Sequence, residues 1–333
     1  MSRHIAIVTP VLDDWDSFAQ LVVKISDRFS GTDLVVHLVA VDDGSMKCCD
    51  LETIALPPES CIASVEIVRL ALNLGHQRAI AVGLCATADR SEFDAVIVMD
   101  CDGEDRPIDI GDLIAASERH PTHVVVARRS KRSETPAFRL MYRAYKLLFH
   151  LLVGRTIDFG NFSLIPMPAV QRLVHMPELW NNLAAAIMRS RLRYESVPTI
   201  RGSRYAGRSR MNFVSLIVHG LSAMSVYTDM IFVRILIAAG VVAGLSIVGM
   251  VGIAIIRFAT DLAIPGWATM VGGDLLIVLL QTVVIIVATS LMMLAGRSSR
   301  PIIPVIDAQP FIAERAMWRL DRPSVEPAVA RAS

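Results

Sequence analysis

The sequence predicts an α/β protein, a mostly parallel sheet with helices on both faces, followed by two apolar segments long enough to cross a bilayer. Three observations carry this. Short apolar runs alternate with stretches whose apolar residues recur at helical spacing, the order that gives parallel βα units. One run, Ala95-Val96-Ile97-Val98-Met99, is apolar throughout and ends in Asp100-Cys101-Asp102, as a strand buried on both faces ends at a polar sheet edge. The remaining apolar excess is concentrated after Met230, where charged residues nearly vanish.

Composition bounds the alternatives. The chain has 333 residues, 53% of them hydrophobic, and a formal net charge of +1. That length allows about two domains. Balanced charge and few aromatic residues give no nucleic-acid footprint. The five cysteines, Cys48, Cys49, Cys61, Cys85 and Cys101, form no C-x-x-C pair, so a reduced, cytosolic compartment is expected for the N-terminal part. Met1-Ser2-Arg3-His4 leads straight into a strand, and no signal peptide is expected.

In order, Ile5–Val11 reads as a first strand and Asp16–Phe29 as a helix, with Phe18, Leu21, Val22, Ile25 and Phe29 on one face. Leu34–Val41 is a second strand ending in Asp42-Asp43-Gly44-Ser45, and Val65–Leu70 a third. Gln77–Leu84 reads as a helix entered through Asn73-Leu74-Gly75-His76. The Ala95–Met99 strand follows, then His123–Ala127.

Ligands collect at the carboxyl ends of strands in such sheets. Asp100 and Asp102, two apart on an extended chain, point to the same side and repel unless a cation or a proton lies between them. Oxygen ligands of this kind suit Mg²⁺ or Mn²⁺ bridging to substrate phosphates. Asp42 and Asp43 end another strand at the same edge, where carboxylates can accept hydrogen bonds from ribose hydroxyls or a base N–H.

Taken in order, Pro10 with Asp13-Asp14, Val41 to Ser45, Asn73 to Ala79 and Asp100 to Pro107 resemble the motifs of family-2 glycosyltransferases with the GT-A fold. More closely, they resemble the polyprenyl-phosphate glycosyltransferases, the group of the dolichyl-phosphate mannose synthases and the bacterial undecaprenyl-phosphate sugar transferases. The resemblance covers roughly residues 4–230. It implies that Pro10, Asp14, Asp42, Asp43, Gly75, His76 and Asp100 bind the nucleotide sugar. It implies that Asp100 and Asp102 hold the metal, Asp102 also serving catalysis. A divalent cation would offset the charge developing on a nucleotide diphosphate leaving group. Glu104 and Asp105 stand where the family often has Gln and Asp or His.

Arg155 to Leu164 is similar to the family's D-x-G-D-F-R-L segment beside the reacting centre, with Asn161 in place of the second aspartate and Ser163 in place of the arginine. Asp158 is the acid that remains and the second catalytic candidate. A phosphate acceptor is already ionised, so it needs no strong general base. Arg204 to Arg210 resembles the family's R-x-x-G-x-S-K segment. Arg204, Arg208, Ser209 and Arg210, with Arg128 from the basic run Arg128 to Arg132, are the expected lipid-phosphate ligands.

Phe138, Met141, Tyr142, Tyr145, Leu148, Phe149 and Leu152 line one face of an expected helix over about 137–153, opposite Arg139, Arg143, Lys146 and His150. Such a helix suits an anionic membrane interface. Residues 211–229 form a further juxtamembrane helix, and the apolar segments Ile231–Ile256 and Leu275–Leu294 are long enough to span. Arg297 and Arg300 outweigh the linker charge, which places the C-terminus and the catalytic domain in the cytoplasm. The expected organisation is a transferase domain over 1–210, the juxtamembrane helix, two spans over 230–296 and a Pro- and Ala-rich cytoplasmic tail over 297–333. Gly240 and Gly244 form a G-x-x-x-G pair, so a homo-oligomer is expected. A processive family-2 synthase would carry Q-x-x-R-W, which is absent. A non-catalytic membrane scaffold on a degenerate transferase fold is the remaining alternative.

Overall fold

The computed structural model describes residues 2–47, 54, 56–57, 59–129, 146–154, 156–206, 220–260, 264 and 266–319. They divide into two compact units. The first contains 1–135, 157–226 and 302–333; the second contains 136–156 and 227–301.

The first unit is built on one eight-stranded sheet. Its elements are β1 (Arg3–Val11), α1 (Trp15–Phe29), β2 (Leu34–Asp42), β3 (Ile62–Leu70), α2 (His76–Ala88), β4 (Ala95–Val98), α3 (Pro107–Arg119), β5 (Val124–Arg129), β6 (Ser163–Pro166), α4 (Met167–Leu173), α5 (Leu183–Arg189), β7 (Tyr194–Thr199) and, after the second unit, β8 (Ile312–Arg319). The strand order is β7-β5-β6-β4-β1-β2-β3-β8. β4, β1, β2 and β3 run parallel, whereas β6 and β8 are antiparallel to their neighbours.

Alternation along the central strands feeds two cores. Ala6, Val8, Val96 and Val98 pack with α2, α4 and α5 on one face. Ile5, Ile7, Ala95 and Ile97 pack with α1 and α3 on the other. This is why Ile5–Val8 of β1 and the whole of β4 are apolar: both faces are covered. Gly83 lets α2 lie close on the sheet, since a Cβ there would run into Val8 and Val41.

Several elements depart from the sequence expectation. β3 starts three residues earlier, α2 extends from His76 to Ala88, and β5 runs on to include Arg128 and Arg129. The segment after the second apolar stretch was expected as a tail. Its described part instead forms a short helix at Pro304–Asp307 and strand β8, paired with β3 from Ser64↔Arg319 to Leu70↔Ile312. The sheet edge had unpaired backbone groups that this segment satisfies, and composition alone does not reveal such a partner.

The second unit pairs α6 (Thr228–Ala259) with α7 (Trp267–Ser298), each 32 residues, about 48 Å at 1.5 Å per residue. Both are long and apolar enough to cross a membrane. Ser246 and Thr282 satisfy their hydroxyls within their own helices, donating to the Val242 and Val278 carbonyls. The close approach between them uses Gly249 against Leu275; a Cβ added at Gly240 or Gly244 would meet nothing within 4 Å beyond its own helix backbone. Residues 146–153 are helical, with Phe149 and Val153 buried and Leu147, Leu148 and Leu151 exposed. This helix ends at Gly154, whose φ of +75° gives the left-handed turn that glycine permits. The Arg234 guanidinium donates to its last carbonyls at His150 and Leu151. The N-terminal half of the expected amphipathic helix lies outside the described residues.

Candidate active site

The carboxyl ends of β1, β2 and β4 meet at one sheet edge and bring together the acidic residues singled out in the sequence. Pro10, next to last in β1, is buried, its carbonyl 3.7 Å from Cys101 Sγ. Asp42 closes β2, accepting from the Ser45 N–H at 2.8 Å and from Arg69 Nε at 3.2 Å. Asp43 accepts from the Leu74 and Gly75 N–H groups at 2.7 and 3.0 Å. These bonds hold the turn through Gly75, at φ +88°, that starts α2 and sets His76. Burial raises the Asp43 pKa, and the two backbone bonds act against that shift.

Beyond β4 the chain turns through Gly103, at φ +91°. The Asp100 N–H donates to Asp105 Oδ2 at 3.1 Å, and the Glu104 N–H donates to Asp102 Oδ1 at 2.8 Å. Arg129, at the end of β5, donates to Asp105 Oδ1 at 3.2 Å. Burial pushes Asp100 up to about 7, with the Asp102 carboxylate adding to the shift. Asp105 also rises to about 7, through burial and then the Asp100 charge. Burial raises Asp102 as well.

A strap over residues 201–205 crosses this turn. The Gly202 N–H donates to the Glu104 carbonyl and the Tyr205 N–H to the Asp102 carbonyl, each at 2.8 Å. A Cβ on Gly103 would lie 2.7 Å from the Tyr205 ring, and one on Gly202 would run into the Gly103 carbonyl. Arg204 pairs with Asp102 at 2.7 Å and with Asp14 at 3.2 Å, and Arg201 pairs with Glu104. Sequence reasoning assigned Arg204 to an acceptor phosphate and missed this strap. The opposed charges of Arg201 and Arg204 against Glu104 and Asp102, and the glycine in each segment, were its signals.

Asp158 pairs with Arg128 at 3.0 Å. Asn161 joins a chain of amides with Gln77 that ends on the His76 ring. His76 Nε2 lies 3.3 Å from Asp100 Oδ1. Arg208, Ser209 and Arg210 lie outside the described residues.

The paired carboxylates imply a divalent cation. Among the described residues no three His, Cys, Asp or Glu side chains converge on one point. Asp100 Oδ1, however, is a buried oxygen without a hydrogen-bond partner. One or two carboxylates completed by phosphate oxygens and water is the usual arrangement for Mg²⁺. Asp100 and Asp102 fit that pattern; such a cation would supply charge neutralisation at a diphosphate.

A nucleotide-type α/β sheet with acidic residues at the carboxyl ends of its strands defines a class, the GT-A transferases. The glycosyl transferase family 2 profile matches residues 6–174, and the chain belongs to that family. Its chemistry is glycosyl transfer from a nucleotide-activated sugar. A relative in Bacillus subtilis (strain 168), the uncharacterized glycosyltransferase YkcC, is 26% identical over 284 residues, covering 83% of this chain and 85% of the relative. The uncharacterized glycosyltransferase sll0501 of Synechocystis sp. is 23% identical over 225 residues, covering 65% of this chain and 67% of its own. Among solved structures, glucosyl-3-phosphoglycerate synthase from Mycobacterium tuberculosis with Mn²⁺ and UDP-glucose aligns with a TM-score of 0.47 and 13% identity, over 68% of this chain and 79% of that one.

Proposed function

We propose that the protein transfers a sugar from a nucleotide diphosphate sugar to a polyprenyl phosphate, with inversion, at the cytoplasmic face of the inner membrane. The observation that carries this reading is the chain path. The sheet of the transferase unit is interrupted by an apolar helical hairpin and resumes at β8, so the chain leaves this unit before Tyr227 and re-enters it at Ile302. A hairpin that spans a bilayer returns the chain to the side it left. An enzyme held in that way meets its acceptor at the membrane surface.

The residues near the reacting centre favour an acceptor that arrives ionised. Asn161 cannot take a proton, and Asp158 is paired with Arg128. In this reading Asp42, Asp43, Asp14, Pro10, Gly75 and His76 hold the nucleotide sugar, and Asp100 and Asp102 hold Mg²⁺ or Mn²⁺. Arg128, Arg204, Arg208, Ser209 and Arg210 receive the lipid phosphate, with Asp158 orienting Arg128. The open flank at Gly240 and Gly244 supports self-association through the hairpin.

The test is incubation of membranes carrying the protein with a panel of labelled nucleotide sugars and polyprenyl phosphate. One sugar is expected to enter the organic phase in a manner that requires added lipid and divalent cation. No transfer to lipid from any member of the panel overturns the reading.

A further inference from the structure

The ladder between β1 and β2 runs as far as Val11↔Asp42, with the Asp43 N–H donating to the Val11 carbonyl at 2.8 Å. Beyond that bond β1 bends towards α1 and β2 enters the turn over 42–45. One of these loops carries Asp14 and the other Asp42 and Asp43. The strand pairing that set their spacing has stopped.

Asp13 takes its place. Its backbone is left-handed, at φ +49°. That conformation is unfavourable for a residue with a Cβ, and Asn and Asp tolerate it best. The turn directs both the amide and the carboxylate of Asp13 at the other loop. Its N–H donates to Ser45 Oγ at 2.8 Å. Its Oδ1 accepts from the Met46 N–H at 2.7 Å and from the Lys47 N–H at 3.3 Å. Ser45 donates its own N–H to Asp42 Oδ1 at 2.8 Å, which carries the connection into β2. Two residues after Asp13, Trp15 Nε1 donates to the Lys47 carbonyl at 3.0 Å.

We infer that Asp13 is a positioning residue of the donor site: its left-handed turn and its bonds to Ser45, Met46 and Lys47 fix Asp14 relative to Asp42 and Asp43, and so set the affinity for the nucleotide. This rests on the nucleotide-sugar reading of those three carboxylates under the proposed function, and adds to it the residue that holds them at one spacing. Asp13 acts through its neighbours rather than by touching the nucleotide. The position makes two demands, a left-handed backbone and a short side-chain acceptor. Asp and Asn meet both, Gly meets the first alone, and Ala meets neither.

The test is calorimetric titration of the full chain in detergent, with Mg²⁺ present, using whichever of UDP, GDP, ADP and dTDP binds wild type most tightly. Asp13→Asn should bind within about twofold of wild type, because it keeps the acceptor and tolerates the turn. Asp13→Gly should bind about tenfold more weakly, having lost the charge-assisted bonds to Met46 and Lys47, and Asp13→Ala more weakly still. Ser45→Ala leaves Asp13 in place and removes the acceptor of its N–H, so it should weaken binding about threefold. This variant and Asp13→Asn keep the test decisive if Asp13→Ala does not fold. Wild-type affinity in Asp13→Gly overturns the inference, since the acceptor would then be dispensable. Asp13→Asn as weak as Asp13→Ala also overturns it, as does a lowered unfolding temperature across the series with nucleotide affinity unchanged. In each of those cases, weaker binding by Asp14→Ala in the same titration leaves the donor-site reading standing. Wild type that binds none of the four nucleotides overturns both.

Discussion

Arg204 donates to Asp102 Oδ2 at 2.7 Å and to Asp14 Oδ2 at 3.2 Å, so one guanidinium bridges the carboxylate expected to hold a metal and a carboxylate at the N-terminal boundary of α1. The side chains of all three are largely withdrawn from water, at 25%, 14% and 25% exposure. A cation competing for Asp102 must displace or share this pair. Arg204 thereby offsets the repulsion among the acidic residues of the edge.

Arg204→Ala is accordingly expected to tighten Mn²⁺ binding about tenfold, since a part-buried pair is worth roughly 1–2 kcal/mol and 1.4 kcal/mol is a factor of ten. Turnover should fall at the same time. Calorimetric titration with Mn²⁺, beside a steady-state assay, measures both; weaker Mn²⁺ binding in the variant contradicts the competition.

Asp102→Asn should reduce transfer about 10²- to 10³-fold, the loss typical when one stabilising group for developing charge is removed. The variant keeps the Glu104 N–H bond through its side-chain oxygen but turns its amide NH₂ against Arg204, so a loss of about 1–2 kcal/mol of stability is expected beside the loss of activity. Near-normal turnover at ordinary Mg²⁺ or Mn²⁺ refutes the role.

Asp158→Ala should lower kcat about tenfold or more while leaving the nucleotide-sugar Kd within about twofold, because it removes the partner of Arg128 and not a nucleotide ligand. An unchanged kcat would give Asp158 a structural role alone.

Gly202→Ala should destabilise the strap by about 1–3 kcal/mol, because the new Cβ runs into the Gly103 carbonyl and the backbone must move. Urea unfolding in detergent and the Mn²⁺ titration report it. Unchanged stability and affinity would show that the strap gives way freely.

The pH dependence of the metal-free protein follows from Asp100 and Asp105, both pushed up to about 7, chiefly by burial. Their folded-state values lie above those of the unfolded chain, so the folded state binds more protons between about pH 4 and 7. Stability should be highest below that window and decline as pH rises through it. Added Mn²⁺ should offset the decline above pH 7. Thermal unfolding measured from pH 4 to 8 checks the sign; rising stability across the window contradicts it.

β1, β2, β4 and the two long helices were legible because each is an apolar run of characteristic length, and the acidic residues at strand ends marked the edge where ligands bind. β6 has four residues and β7 carries Pro198, so neither presents a strand pattern. β8 was hidden for another reason: its partner is distant in sequence, Arg69 pairing with Glu314 across 245 positions. The apolar hairpin between them made the last segment read as a tail. Asn161 was visible as a departure from the family motif, but its contact with His76 depends on α2 and the 156–162 segment meeting in space.

The most direct measurement is product analysis after reconstituting the purified protein with its nucleotide sugar, Mn²⁺ and undecaprenyl phosphate. Phosphorus NMR and mass spectrometry should show the lipid phosphomonoester converted to a sugar phosphodiester, with the anomeric configuration opposite to that of the donor. Sugar transfer to a hydroxyl acceptor with the lipid monoester left intact would contradict the assignment of the acceptor.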